Sequence, residues 1–389
     1  MKYYIIAGEA SGDLHASNLI KALKKRDTEA EFIGWGGDLM RNVGCEIVRH
    51  YKDTAIMGFI TVLMNLKKIK ANIVTCCADI EQRKPDVVIL VDYGGFNLKI
   101  SKFAKEHGFT TFFYISPKIW AWNTKRIEKI KRDVDEMFVI FPFEVEFYKN
   151  LGFTNVHYAG NPLVDAIESR DYKNESFSEF IKRNNLPNKP IIAMLAGSRR
   201  QEVKCILPEM LKMVNEFPDY QFVLAGAPSL DKEDYNRVLD SCSKILKGLK
   251  ISIVYDMTYR LVQQSKVALV TSGTATLETA ILNIPQIVCY SGEGGIIYYW
   301  IFKFVVKVKY ISLVNLIMNK EIIKEFLMQK LNKKNLYKEL NLLLNNKKYN
   351  NQMMNSYKEL LKKVGGPGAS DRFSKIMIDL LLNKYRINK

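Results

Sequence analysis

The stretch YYIIAGEASGDLHASNLIKALK, residues 3–24, decides the fold. Its first five residues are apolar, and most are aromatic or β-branched, which is strand composition. Gly8, Glu9, Ala10, Ser11, Gly12 and Asp13 follow, and a helix-like run covers 14–25. A strand that hands over to a helix through a glycine-bearing turn opens a strand–helix–strand unit. The strand signal recurs at 31–34, 87–91, 110–115 and 136–140, with helical spacing between, as at 97–107 and 124–131. Such alternation predicts a parallel sheet covered by helices.

The pattern weakens between 160 and 190, where NPLVD (161–165) leads into a polar stretch ending in NNLPNKP. This reads as an interdomain linker with some helix in it. Strand signals then resume at 191–195, 220–224, 251–254, 267–270 and 286–289. The predicted fold class is α/β, with two Rossmann-like doubly wound parallel-sheet domains. Such sheets bind ligands at the carboxyl ends of their strands, so the expected site is a cleft between facing domains. From 319 onward strand signal nearly vanishes, and helices break near 345–346 and at GGPGAS (365–370). Residues 369–371 offer caps for a last helix over 372–383. The expected division is 1–165, a linker at 166–189, a second domain at 190–350 and a helical tail at 351–389. Helices within 366–389 are expected to complete the first domain or to swap with a partner, in a monomer or homodimer.

The 389 residues are enough for two cores, and 48% hydrophobic with 25% charged residues describes a globular chain. Met1-Lys2 leads straight into a strand, so no signal peptide is expected. The most apolar later stretch, 296–306, is interrupted by Lys303 and is shorter than the roughly 20 residues a bilayer span needs. A cytosolic protein, or one attached to a membrane from the cytosolic side, is expected. Six scattered cysteines and four histidines share no ligand spacing, so no metal is expected and the thiols read as reduced core residues. The net charge of +17 comes mostly from Lys and lacks the basic–aromatic stripe of a nucleic-acid module. It reads either as compositional drift or as attraction to an anionic lipid or phosphorylated substrate.

Several stretches carry chemistry. In Gly8–Asp13 the spacing matches neither dinucleotide nor P-loop fingerprints, and two acids repel phosphate. Two readings stand: Glu9, Ser11 and Gly12 meet sugar hydroxyls, or Ser11 or Asp13 caps the first helix. In VVILVDYGGFNLKI (87–100), Asp92 ends a buried strand. It reads as a general base facing the ligand, against a turn-forming Asp before Gly94-Gly95. In YISPKIWAWNTKRIEKI (114–130), Trp120 and Trp122 read as packing rather than as lining for an acyl or sugar site. In MLAGSRRQEV (194–203), Gly197, Ser198 and Arg199 combine a glycine turn, a hydroxyl, a helix N-terminus and a guanidinium fork, a phosphate cradle. In LVTSGTATLETAI (269–281), Ser272, Gly273 and Thr274 suit a diphosphate, and Glu278, one turn on, suits ribose hydroxyls. Two segments, 57–73 and 294–310, mix large apolar residues with lysines. Met57, Ile60, Leu63, Met64, Trp300 and Phe302 are there the candidates for membrane or acyl-chain contact, against a plain core role.

AGEASGD, VDYGGFN, ISPKIWAW, GSRRQEV and SGTATLE occur in this order. Together they resemble the lipid-A-disaccharide synthase family (family 19 glycosyltransferases), from residue 2 to about 329 and more weakly beyond. The resemblance implies a GT-B fold without a cofactor. It implies inverting transfer of 2,3-diacylglucosamine from UDP-2,3-diacylglucosamine to the 6-hydroxyl of 2,3-diacylglucosamine 1-phosphate, giving a β-1,6 disaccharide and UDP. It places the enzyme peripherally on the inner face of the cytoplasmic membrane. Asp92 matches the family's essential acid and Arg199 its donor-binding arginine. Ser272, Gly273, Thr274 and Glu278 match its UDP-binding turn and helix. In YISLVNL (310–316) Asn315 matches the functional asparagine, although Val314 stands where relatives carry proline. Gly95 stands where many relatives carry a second Asp, which leaves Asp92 as the single base. Two other readings share a UDP site: a soluble-substrate enzyme like UDP-N-acetylglucosamine 2-epimerase, and a non-catalytic binder of anionic lipid or UDP-sugar.

Overall fold

The computed structural model describes residues 1–54, 66–292 and 309–387. Two compact units divide the chain: Met1–Ala166 with Val364–Lys389, and Ile167–Lys363.

In the first unit, the described strands are β1 (Lys2–Ala7), β2 (Glu31–Gly36), β3 (Glu46–His50), β4 (Val87–Val91), β5 (Thr110–Tyr114), β6 (Glu136–Val139) and β7 (Val156–Tyr158). They pair in parallel in the order β3-β2-β1-β4-β5-β6-β7. Strand residues alternate between two faces, so β1 splits its apolar run. Tyr3, Ile5 and Ala7 join one core with Leu19 and Leu23 of the helix Ala10–Lys24. Tyr4 and Ile6 join the other core, with Ile80, Ile100 and Ile130 from three later helices. Burial on both faces is why these strands read as continuous apolar runs.

The last helix, Ala369–Ile387, packs on the same sheet face as the first helix, through Phe373 and Met377. Arg26, in the turn just past the first helix, pairs with Asp371 at 2.7 Å. The last helix is capped from a distance: the Asp165 carboxylate accepts the backbone N–H groups of Gly368, Ala369 and Ser370 at 2.6–3.1 Å. An acid against an open helix N-terminus satisfies orphan donors and the helix dipole together.

In the second unit, β8 (Ile191–Leu195), β9 (Gln221–Gly226), β10 (Ser252–Tyr255), β11 (Ser265–Thr271), β12 (Gln286–Tyr290) and β13 (Glu325–Leu327) pair in parallel in the order β10-β9-β8-β11-β12-β13. Ile191, Ala193, Val223, Ala268 and Val270 form a core with Phe180 of the helix Phe177–Arg183. Helices Lys333–Asn345 and Lys347–Val364 follow the sheet.

Met57, Ile60, Leu63, Met64, Trp300 and Phe302 lie outside the described residues. Among the described residues, no helix is long and apolar enough to cross a membrane.

Candidate functional site

In the first unit, the chemistry-bearing residues gather at the carboxyl ends of β1, β4 and β5. Val91 ends β4, and both Asp92 (φ 47°) and Tyr93 (φ 48°) then take left-handed backbone conformations. Ile115, just past β5, does the same at φ 63°. For non-glycine residues this costs about 1–2 kcal/mol each, most of all for a β-branched one. The surroundings hold the geometry. Asp92 N–H donates to the Tyr114 carbonyl at 3.0 Å, and Ile115 N–H to the Phe138 carbonyl at 2.9 Å. The Asn97 amide donates to the Asp92 carbonyl at 2.8 Å. Strain retained at strand ends in this way accompanies functional positions.

The result is a half-buried Asp92 carboxylate. Burial raises its proton affinity, while the Lys118 cation and the Tyr93 N–H act in the opposite direction. The Tyr93 ring packs over the first turn: a Cβ on Gly8 would lie 2.4 Å from its Cδ1, so only glycine fits there. Glu9 sits at the N-cap of the first helix in extended conformation, without a side-chain capping bond. Its charge reaches the Tyr93 phenol. Ser11 is exposed, whereas Gly12 is buried, and a Cβ there would come within 3.3 Å of the Ala7 Cβ. Gly12 therefore lets the first helix lie close on β1.

The capping reading of Ser11 or Asp13 needs correction. Asp13 caps a different helix: its carboxylate accepts from Gly37, Leu39 and Met40 N–H groups at 2.8–3.1 Å, at the start of Asp38–Asn42. A Cβ on Gly95 would meet nothing within 4 Å among the described residues, which impose no steric demand for glycine there.

The loop after β5 carries Lys118 and is tied down by Glu144. This buried carboxylate accepts from Ser116 Oγ at 2.8 Å, Trp120 Nε1 at 2.9 Å, Phe141 N–H at 2.9 Å and Ile140 N–H at 3.2 Å. Trp120 also stands edge-on to Phe143 at 5.1 Å, in keeping with a packing role.

In the second unit, β8 runs into Gly197 (φ 111°), Ser198 and Arg199, and the helix Arg200–Leu211 begins. Glu202 folds back over this turn, accepting from Ser198 N–H at 3.0 Å and from Arg199 at 3.1 Å. The Arg199 side chain is 75% exposed. An ion pair that exposed is worth at most about 1 kcal/mol, so the guanidinium is readily given up to a stronger anion.

The second glycine-bearing turn follows β11. Gly273 (φ 139°) is the N-cap of the helix Thr274–Ile281 and brings no capping side chain of its own; among the described residues nothing lies within 4 Å of a Cβ placed there. Ser272 Oγ donates to the Ile311 carbonyl at 3.1 Å. Glu278, one turn on, accepts from the Tyr259 hydroxyl at 2.9 Å. Burial pushes its carboxyl up and the tyrosine bond pulls it back.

Asn315 is fully buried and engaged by the protein. Its amide donates to the Ile323 carbonyl and Glu325 Oε1, both at 2.9 Å, and its carbonyl accepts from Ile322 and Ile323 N–H. Glu325 of β13 also accepts from Ile311 N–H, Ser312 N–H and the Ser312 hydroxyl. Asn315 and Glu325 thus lock the 311–325 segment against the Ser272 turn. Sequence reasoning missed Glu325, Tyr259 and Glu144: Tyr259 meets Glu278 across 19 residues, Glu325 meets Ser312 across 13, and Glu144 meets Ser116 and Trp120 across 28 and 24 besides its local bonds to Ile140 and Phe141.

A family model described as LpxB, lipid-A-disaccharide synthetase, matches residues 3–375. The chain belongs to the lipid-A-disaccharide synthase family. Members named lipid-A-disaccharide synthase include one from Trichlorobacter lovleyi, 33% identical with 97% of each chain covered. One from Myxococcus xanthus is 32% identical, again over 97% of each. Membership makes this chain a glycosyltransferase, with a UDP-sugar donor and a lipid acceptor. Among solved structures, the S. aureus MnaA–UDP co-structure superposes with a TM-score of 0.68 at 16% identity, covering 100% of this chain and 97% of that one. UDP-GlcNAc 2-epimerase from Neisseria meningitidis, bound to UDP-GlcNAc, gives 0.64 at 16% identity, covering 98% and 100%. These likenesses concern the fold, which the synthase family shares with the epimerases: two parallel α/β sheets of the GT-B kind plus a C-terminal helix.

Proposed function

We propose that the chain joins two acylated glucosamines. It transfers 2,3-diacylglucosamine from UDP to the 6-hydroxyl of 2,3-diacylglucosamine 1-phosphate with inversion at the anomeric carbon. The observation that carries the mechanism is Asp92: a half-buried carboxylate of raised proton affinity, held on a strained turn at a strand end. Asp92 takes the proton of the acceptor hydroxyl as its oxygen bonds to the anomeric carbon. The bond from that carbon to the UDP oxygen breaks, and the departing diphosphate carries off the electron pair. Its charge falls on Arg199, on the Ser198 turn and on the open N-terminus of Thr274–Ile281. Glu278 takes the ribose hydroxyls. Glu9 and Ser11 meet sugar hydroxyls on the acceptor side, while Gly12 supports that turn by close packing. Asn315 serves the donor site by fixing the segment that braces Ser272.

The deciding experiment follows UDP release from UDP-2,3-diacylglucosamine with and without 2,3-diacylglucosamine 1-phosphate. Release that depends on the acceptor and yields the disaccharide supports the reading. Acceptor-independent conversion of the donor would support epimerase-like chemistry instead.

Arg199→Ala is expected to weaken UDP binding about 10–100-fold, because it removes charge-assisted bonds worth about 1.5–3 kcal/mol while sacrificing only a weak surface pair. Calorimetric titration with UDP reads this directly. An unchanged affinity would leave the arginine without its assigned task.

We further propose that the enzyme works on the inner face of the cytoplasmic membrane. The support is the +17 charge, together with lipid substrates whose acyl chains favour a bilayer. Co-sedimentation with vesicles containing anionic lipid should exceed that with neutral vesicles and fall with salt. Equal recovery with both compositions would argue against the electrostatic part.

A further inference from the structure

Glu278 does not stand alone. Tyr259 lies on the helix Thr258–Gln263, which follows β10, and its hydroxyl donates to Glu278 Oε1 at 2.9 Å. We infer that Tyr259 is a positioning residue that fixes the Glu278 carboxylate for the two ribose hydroxyls of a uridine nucleotide, and so makes the site selective for ribose. This rests on the reading of 272–278 as the nucleotide site.

The chemistry of the pair supports the assignment. A glutamate has three rotatable bonds, and a bidentate acceptor for a vicinal diol needs its plane fixed. A tyrosine ring has two χ angles and little freedom to lose. Its hydroxyl takes one acceptor position on Oε1 and leaves Oε2, with the second lone pair of Oε1, for incoming hydroxyl donors. An untethered carboxylate would present the same atoms without the same orientation, and an amide would replace one acceptor oxygen with a donor.

The helix that carries Tyr259 is itself braced. Arg260 pairs with Glu175 at 2.8 Å and lies 4.1 Å from the centre of the Tyr172 ring. Gln263 Oε1 accepts two bonds from Arg170, at 2.9 and 3.2 Å, and its amide donates to the Lys173 carbonyl at 2.8 Å. Gln264 donates to the Glu175 carbonyl at 2.6 Å. Residues 170–175 therefore clamp the helix from outside while Tyr259 points from it to Glu278. All of these groups belong to one unit, so the geometry is intrinsic to it.

The test uses the full chain and two probes, UDP and 2′,3′-dideoxyuridine 5′-diphosphate, with dissociation constants measured by calorimetry. The quantity read is the ratio of the two constants, because general weakening of the fold moves both probes alike. Wild type should bind UDP about 30-fold more tightly than the dideoxy probe, as expected for hydrogen bonds to a charged acceptor. Tyr259→Phe should cut the ratio to about fivefold by weakening UDP alone, and Glu278→Gln should bring it to about twofold. Adding Tyr259→Phe to Glu278→Gln should change the ratio no further, since the tyrosine acts through the carboxylate. Tyr259→Met fills the space without a donor and gives the same reading if the Phe variant is poorly folded. A wild-type ratio in both Tyr259 variants, with collapse in Glu278→Gln, would overturn the inference and leave the ribose reading standing. Equal wild-type affinity for both probes would overturn the ribose reading and the inference together.

Discussion

Asp92→Asn is expected to lower acceptor-dependent turnover about a thousandfold while leaving UDP affinity within about twofold of wild type. Asparagine has the same shape, and its carbonyl oxygen can still accept the Tyr93 N–H that the carboxylate accepts. What it lacks is a site for the acceptor proton. The loss should fall on kcat rather than on donor binding, because the residues proposed to cradle the diphosphate belong to the other unit. The pH profile gives a second check. Burial raises the proton affinity of Asp92, so wild-type activity should fall on the acid side with an apparent pKa above the ordinary aspartate value. Below that pKa the carboxyl is protonated and cannot act as a base, and the asparagine variant should lack this limb. The sign for stability is opposite. A carboxyl with a raised folded pKa costs stability once ionised, and the cost is relieved as pH falls through the window above the ordinary value. Asp92→Asn should therefore be as stable as wild type at neutral pH, or slightly more so. A variant that turned over at a tenth of the wild-type rate would remove Asp92 from the role of base.

Where the strands were legible in the sequence, the reason is burial on both faces. The interior strands β1, β4, β5, β8 and β11 each carry a continuous apolar run because helices cover each side. The strands that escaped notice are β3, β7 and β13, and each lies at the edge of its sheet. EIVRH and VHY carry the polar residues and short lengths that protect an edge from pairing with another chain. β13 sits inside a stretch that otherwise reads as helix.

The site divides along similar lines. Asp92, Arg199 and the Ser272 turn were legible as candidates because a strand end, a glycine and a helix start are consecutive in the chain. Glu325, Tyr259 and Glu144 were not, because the partners that matter for each loop are brought near by folding, even though Glu144 also makes local bonds to Ile140 and Phe141. Tyr259 meets Glu278 across 19 residues, and Glu144 meets Ser116 across 28. Asp13 shows the converse hazard. Its place in the first turn invites a local capping role, yet its three N–H partners lie 24 to 27 residues ahead.

Glu144→Ala should be the most damaging substitution for the first unit, costing about 3–5 kcal/mol of stability. The side chain is 1% exposed and answers four donors. Burial alone would push its carboxyl towards the neutral form, and the Ser116, Phe141, Trp120 and Ile140 donors pull it back. Removing it strands those donors in a dry interior, where each unmet group costs about 1–3 kcal/mol less whatever relaxation recovers. Two of them, Ser116 and Trp120, belong to the loop that begins at the strained Ile115 and carries Lys118 towards Asp92. With that anchor gone, the left-handed conformation of Ile115 loses its support, although Tyr148 still holds the Pro117 carbonyl at 3.0 Å. The melting temperature should fall by roughly 10 °C, measured by calorimetry on the full chain. Glu144→Gln should recover only part of this, because its amide turns two donors towards groups that are themselves donors. Turnover should fall in both variants even at temperatures where they remain folded, since a loosened Lys118 no longer sets the charge beside Asp92, the proposed base. An alanine variant melting within about two degrees of wild type would mean that the loop is held by packing of Trp120 on Phe141 and Phe143, and not by the buried carboxylate.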